Sequence, residues 1–392
     1  MTAPDNTISE CLAEFTTSVA FEDLPDEVVS IAKLHLLDSL GIAFASTTYA
    51  FAESSIKAIK AMSGRGLVPV IGSPEFLPPR EAALINGILI HGLDFDDTHG
   101  GSIVHASASA APAAISAAAQ TKTNGRRFLL AYVLAIETSA RLGMIVDGGF
   151  HEAGFHPTAV AGIFGAALAA GLLNASDAES LVNAQGIALS MSGGTLEFLT
   201  EGAWTKRLHP GWAAFGGLTA NALADGGFQG PRRPYEGSHG LYATHLGGGA
   251  MPELEPIVKN LGKDWEVLNM AIKPLPACHF AHAASDAVRA LLPALENDLE
   301  QVEEIVVRVP APVIPVICEP ESQKRRPRTS YEAQFSLPYI VAATLCTGGF
   351  GLDELDEKAL LNPRILALAD KVRHEADPNS GYPKYFSGEV EL

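Results

Sequence analysis

Aromatic side chains are scarce in this sequence, 7% with three tryptophans, and basic residues are outnumbered by acidic ones, 27 to 45. The formal charge of −18 repels a phosphate backbone, and nucleic-acid binding is excluded as a general function. The four cysteines, Cys11, Cys278, Cys318 and Cys346, form neither a CxxC pair nor a zinc-ribbon spacing, so free thiols in a reducing cytoplasm are expected. No basic stretch precedes an apolar one in MTAPDNTISECLAEF, and no signal peptide is expected. The longest apolar run, Ala159 to Leu173, is shorter than the roughly 20 residues of a membrane span and reads as buried helix. There is no GxGxxG after an expected strand, no GxxxxGK[ST] and no HExxH. Nucleotide-cofactor and zinc-hydrolase chemistry therefore lack their frames, and no metal site is expected.

What the chain does have is apolar bulk. With 392 residues, 47% hydrophobic and only 18% charged, it can bury a large core in two or more domains. The first two-thirds carries helical spacing, from Leu24, over Glu81–Leu93, His105–Gln120, Arg127–Leu142, Pro157–Leu173, Asp177–Leu189 and Trp212–Ala224. Ser176, three residues before Glu179, is the expected N-cap of one helix. The run from Ala106 to Ala119 is almost all Ala and Ser, which suits a helix at the centre of a bundle. Beyond about residue 265 the texture changes: a helix over Ala281–Leu295, then β-branched strands over Val302–Val309 and Tyr385–Leu392. The expected architecture is mainly α, a large all-helical bundle domain at 1–268 followed by a smaller α+β lid domain at 269–392. The chain stops inside an expected strand, so that second domain is expected to be incomplete.

Three polar clusters stand out against this background. His91-Gly-Leu-Asp94-Phe-Asp96-Asp97-Thr98-His99, followed by His105, sits at the polar end of the apolar run AALINGILI. Helical spacing would put His91, Asp94 and Thr98 on one face. Acids at a helix C-terminus oppose its dipole, so solvated capping explains them poorly. Asp94-Phe-Asp96-Asp97 also matches the DxDD pattern of helical terpene cyclases, but carbocation chemistry needs an aromatic cavity. Lys206-Arg207-Leu-His209 precedes the helix expected from Trp212, and concentrates positive charge as an anion site in an acidic chain must. Lys273, between hydrophobic and proline residues, precedes Cys278, His279 and His282 at the domain junction. His156 stands just before a buried helix. Glu137 and Arg141, four apart, read as a structural pair.

In their order along the chain, HGLDFDDTH with His105, GFHPTAVAG from Gly154, GAWTKRLHPGWAA from Gly202, GPRRPYEGSHGLY from Gly230 and IKPLPACHFAHAASDA from Ile272 resemble the MmgE/PrpD family. This family includes 2-methylcitrate dehydratase, cis-aconitate decarboxylase and iminodisuccinate epimerase. The resemblance implies a helical domain with an α+β lid, a homodimer, a small polycarboxylate substrate and no metal or organic cofactor. It implies catalytic roles for His105, Asp94, Lys273 and Tyr331, and substrate binding by Thr98, His156, Lys206 and either Cys278 or His279. The chain departs from many relatives at Ala106, where proline is common, and at Leu275, where an aromatic is common.

Dehydration, decarboxylation and epimerisation all develop negative charge beside a carboxylate, which fixed cations and a positioned acid or base must handle. Lys206 and Lys273 are expected to bind carboxylates and His105 to transfer the proton, with Asp94 orienting it. The expected reaction is a dehydration like that of 2-methylcitrate dehydratase. The alternatives are a decarboxylation, an epimerisation, or a helical scaffold without activity.

Overall fold

The computed structural model describes residues 6–295, 299–382 and 384–392; the first five residues of the N-terminal segment read above lie outside them. The chain forms two compact units, one from Met1–Glu197 with Trp204–Ile272 and one from Phe198–Ala203 with Lys273–Leu392. The short excursion at 198–203 joins the second unit although it lies inside the helical stretch of the sequence.

The first unit is built on α1 (Asp26–Ser46), α2 (Pro79–His91), α3 (Ala106–Thr121), α4 (Gly125–Met144), α5 (Pro157–Asn174), α6 (Ala178–Leu189) and α7 (Thr205–Asp225). α5 is buried along nearly its whole length and packs on α3, α4, α6 and α7. α1 and α5 are both long and apolar enough to cross a membrane, but 89% of the apolar window in α5 is covered by the other helices. α3 is buried from Ala106 to Ala114, as its Ala/Ser composition suggested, because side chains this small let neighbouring helices close on it.

α2 and α7 approach each other backbone to backbone. A Cβ on Gly87 would lie 2.4 Å from the Cα of Gly211, and one on Gly211 would lie 2.2 Å from the Leu84 carbonyl oxygen. Both distances are impossible, so the two backbones touch only because both positions are glycine. This crossing sets the polar end of α2 beside the first turns of α7.

Several expected boundaries change. α7 begins at Thr205, not Trp212, so Lys206, Arg207 and His209 are helical. Pro210 lies inside this helix and has no N–H to offer the Lys206 carbonyl. Trp204 and Trp212, on either side of these residues, are about half buried, at 49% and 40% exposed. Asp177, not Ser176, caps α6, accepting from Ser180 N; Ser176 instead donates to Asp225. α2 ends at His91, so Asp94 and Thr98 do not continue its face. A two-residue strand β1 (Thr98–His99) follows and pairs antiparallel with β2 (Met270–Ala271).

In the second unit, α8 (His282–Leu291) packs on α10 (Leu337–Thr347), with Ser285 Oγ 2.9 Å from Thr344 Oγ1. α9 (Ser330–Gln334) lies just before α10. Strand β3 (Ile305–Val309) is central in a three-stranded sheet. It is parallel to β4 (Val372–Ala376) and antiparallel to β5 (Glu389–Glu391), in the registers Ile305↔Val372 and Val307↔Val390. Ile305, Val307 and Val309 are buried, giving the alternation of a strand with one covered face. β4, preceded by α11 (Pro363–Ala369), escaped the sequence reading because Val-Arg-His-Glu-Ala shows little β-branched pattern. The expected strand at Tyr385–Leu392 shrinks to three residues, and the expected helix at Ala281–Leu295 ends in 3₁₀ turns after Leu291.

Replacing Gly211 with Ala is expected to force α2 and α7 apart and to destabilise the chain by roughly 1–3 kcal/mol, measured by urea unfolding. Unchanged stability would mean that this crossing is not tight.

Candidate active site

The site is built where the chain leaves α2. His91, Asp94, Asp96, Asp97, Thr98, His99 and His105 are all buried. Asp94 has φ +48°, left-handed backbone that aspartate tolerates better than most residues, and it turns the chain back after Gly92. Ile103 has φ +56°, an uncommon conformation for a β-branched residue. There the chain makes a tight return in which His99 N donates to Val104 O and Ile103 N donates to His99 O, each at 2.9 Å. Two residues with left-handed backbone thus flank the segment that delivers Thr98, the second of them just before His105, a pattern common at functional sites.

The loop is lashed from both sides. Ser102 N donates to His99 Nδ1 (3.1 Å), so His99 Nε2 carries the proton that it donates to Glu266 Oε2 (3.0 Å). The His99 bond holds the Glu266 carboxyl at about 2, well below the usual range. Glu137 accepts from Val267 N, and Arg141 donates to the carbonyls of Lys259 and Asp264. That pair is structural, as the sequence suggested.

Lys206, in the first turn of α7, donates to Asp94 Oδ1 at 2.5 Å, with both residues buried. His105 caps α3. Its Nδ1 lies 2.9 Å from the Asp97 carbonyl oxygen and 3.2 Å from Thr98 Oγ1. A carbonyl can only accept, so Nδ1 carries a proton and, in the neutral ring, the lone pair is on Nε2. The ring of His105 lies 4.8 Å from that of His91 and 6.0 Å from that of His156. His156, at the start of α5, meets His209 of α7 through Nδ1 atoms 3.1 Å apart. Burial first, then the histidines packed against them and the Lys206 ammonium, lowers the pKa of His156 far below its ordinary value and that of His209 to about 3. Both rings are neutral near pH 7, one Nδ1 donating and the other accepting.

Behind His105 lies a second polar layer. Ser107 N and Oγ both donate to the Asp97 carboxylate, and Ser107 Oγ also meets the Tyr132 hydroxyl at 2.5 Å. His35 Nδ1 sits 2.9 Å from Asp97 Oδ2 without the alignment of a hydrogen bond. Asp38, one turn along α1, has its pKa raised to about 7 by burial and by Asp97 and Asp96. His35, Asp38 and Tyr132 were missed in the sequence; His35 and Asp38, three apart on an apolar helix, were the available signal.

The structure therefore brings together Asp94, Thr98, His105, His156 and Lys206 of the expected set, and adds His91, Asp96, Asp97 and His209. Lys273, Cys278, His279 and Tyr331 belong to the second unit. There Lys273 is buried, and Cys278 N donates to Gln334 O at 2.8 Å. The His279 ring lies 4.9 Å from that of His282, and Tyr331 is buried against Phe335, ring centroids 5.3 Å apart.

Ligand atoms of His91, Asp94, Asp96 and His105 lie within 4.8 Å of one another, close enough to hold a divalent cation. Yet Asp94 is already engaged by the Lys206 ammonium, and Asp96 by His91 at 2.7 Å. The donor set is better satisfied as an acid–base cluster than as a metal cage.

Two family models match the chain: the MmgE/PrpD N-terminal domain over residues 10–253 and the MmgE/PrpD C-terminal domain over residues 275–392. A cis-aconitate decarboxylase-like protein, oryM, of Aspergillus oryzae is 29% identical over 386 residues, which span 94% of this chain and 79% of that protein. The cis-aconitate decarboxylase of Aspergillus terreus is 29% identical, with 92% and 76% covered. That of Homo sapiens is also 29% identical, with 95% and 77% covered.

The neutral histidines make stability pH-dependent. Below about pH 6.5 the unfolded chain protonates His156 and His209 while the folded chain does not. Their contribution, complete above that pH, therefore shrinks as the pH falls toward the folded values. Between pH 7 and pH 5 the loss should be on the order of 2 kcal/mol for each histidine. Asp38 acts the other way, since its raised pKa lets the folded chain bind a proton that the unfolded chain takes up only near pH 4. Asp38→Asn should therefore steepen the acid loss in urea titrations at the two pH values. Equal stability of that variant at pH 7 and pH 5 would contradict the assignment of neutral histidines.

Proposed function

Because the chain belongs to the MmgE/PrpD family, we propose that it is a lyase acting on a small polycarboxylate, and that its reaction is decarboxylation of a cis-aconitate-like tricarboxylate. The observation that carries the reading is the Lys206–Asp94 ion pair buried within a cluster of histidines. In a chain of net charge −18, this is a local provision for binding an anion and moving a proton. Decarboxylation is favoured over the dehydration expected from the motifs because the similar curated proteins carry cis-aconitate decarboxylase names.

Loss of carbon dioxide from an unsaturated tricarboxylate sends an electron pair into the carbon frame beside a retained carboxylate, and a proton must then reach carbon. Lys206, at the N-terminal end of α7, is suited to hold a carboxylate by its charge and by the helix amides around it. Asp94 keeps that ammonium in place. His105, oriented through Nδ1 by the Asp97 carbonyl, is the proton donor through Nε2 once charged. Thr98 steadies its ring, and neutral His156 offers a hydrogen bond without repelling Lys206. Lys273, Tyr331, Cys278 and His279 keep their assignments on the motifs alone. No cofactor enters this chemistry.

A homodimer is part of the same reading: α1 exposes Leu34, Leu37 and Phe44, at 51%, 66% and 59%, an apolar face that a second copy would cover. A monomeric mass by light scattering would remove it.

The direct test is an NMR assay of the protein with cis-aconitate, citrate, 2-methylcitrate and iminodisuccinate. Release of carbon dioxide from cis-aconitate is expected. Water loss from the hydroxy acids instead would restore the dehydratase reading, and no turnover of any acid would overturn the lyase reading. His105→Ala should lower kcat about 100-fold or more, while Lys206→Met should act chiefly by raising KM.

A further inference from the structure

His91, the last residue of α2, has a use that neither the motifs nor the family match assigns. Its Nδ1 lies 2.7 Å from Asp96 Oδ2, with both side chains fully buried. An ionised carboxylate only accepts, so the Nδ1 proton is fixed in place, and the functional nitrogen of the ring is Nε2. That atom is buried and, among the described residues, has no hydrogen-bond partner. Leaving such a group unmet costs about 1–3 kcal/mol, so the position calls for a ligand. The ring stands at the centre of the cluster, edge-on to His105 at 4.8 Å and stacked on His156 at 5.5 Å. Asp96 also reaches toward His105, its Oδ2 3.7 Å from Nδ1, but the shorter contact is with His91.

We propose that His91, oriented by Asp96, is a second acid of this site, presenting Nε2–H to the retained substrate carboxylate on which negative charge collects. The inference rests on the lyase reading above. As the carbon–carbon bond to the departing carboxylate breaks, carbon dioxide leaves and the bonding pair spreads onto the retained carboxylate. His91 shares its Nε2 proton with the charged oxygen. His105 then protonates carbon, the charge collapses and the shared proton returns to His91. One proton is consumed per turnover; it enters through His105 from water, and His91 ends as it began. Fixed donors aimed at developing charge are among the largest contributors to catalysis.

The tests are His91→Gln, which keeps a polar side chain but cannot carry the charge, and Asp96→Asn, which removes the orienting anion. Each should lower kcat about 100-fold or more, with KM changed far less. The double variant should be no slower than the worse single one, because the two act as a unit. In the unaltered chain, the ¹⁵N resonance of His91 Nε2 should shift saturably with tricarballylate, an unreactive tricarboxylate. A kcat unchanged in His91→Gln, or no shift of Nε2 at saturating tricarballylate, would overturn the proposal while leaving the lyase reading intact. An inert unaltered chain overturns the lyase reading itself. The NMR titration needs no variant, so it decides the matter even if His91→Gln does not fold.

Discussion

The contact of Gly87 with Gly211 is the constraint on which the site depends. Two helices whose backbones touch cannot slide or rotate freely, so the residue that ends one and the residues that begin the other are held in a single register. The end of α2 carries His91 and leads into Asp94, and the start of α7 carries Lys206, Arg207 and His209. The ion pair between Lys206 and Asp94, at 2.5 Å, follows from that register. Arg207 confirms it independently: its Nε donates to the Gly92 carbonyl at 2.7 Å, and its guanidinium lies over the Phe51 ring.

Burying so many polar side chains in an apolar bundle is feasible because most of their polar atoms are given a specific partner. Three aspartates enter within four residues, and each is answered differently: Asp94 by a lysine, Asp96 by His91, and Asp97 by Ser107 and His35. The histidines divide by surroundings. His91 and His99 are bonded to carboxylates, whereas His156 and His209 face each other and Lys206 and stay neutral. One cluster thus offers acids, hydrogen-bond donors and a fixed cation within a few ångströms, which is the equipment for handling charge beside a carboxylate.

Much of this was legible in the sequence. The helices of the first unit follow from apolar spacing, and the polar clusters stood out because such residues are rare in an otherwise apolar chain. Asp94, Thr98, His105, His156 and Lys206 were named from their motifs and converge in the structure. The geometry that joins some of them nevertheless differs from the expected one. Thr98 meets His105 through a strained loop and a two-residue strand, not along a helical face, and Lys206 belongs to a helix expected to begin only at Trp212. His35, Asp38 and Tyr132 left only a faint signal, two polar residues on an apolar helix, because their importance lies in what they touch, residues 60 or more positions away in the case of His35 and Asp97.

By itself, the sequence determined the class of the fold and the chemical inventory. Hydrophobic periodicity and charge are local or additive properties, readable without coordinates. Only the tertiary structure decided which inventory members act together: that Asp96 orients His91, that His156 and His209 share a hydrogen bond, and that Lys206 neutralises Asp94. Those pairings depend on helix crossings and on two residues with left-handed backbone. Protonation states depend in turn on burial and neighbours, and neither is written in the spacing along the chain.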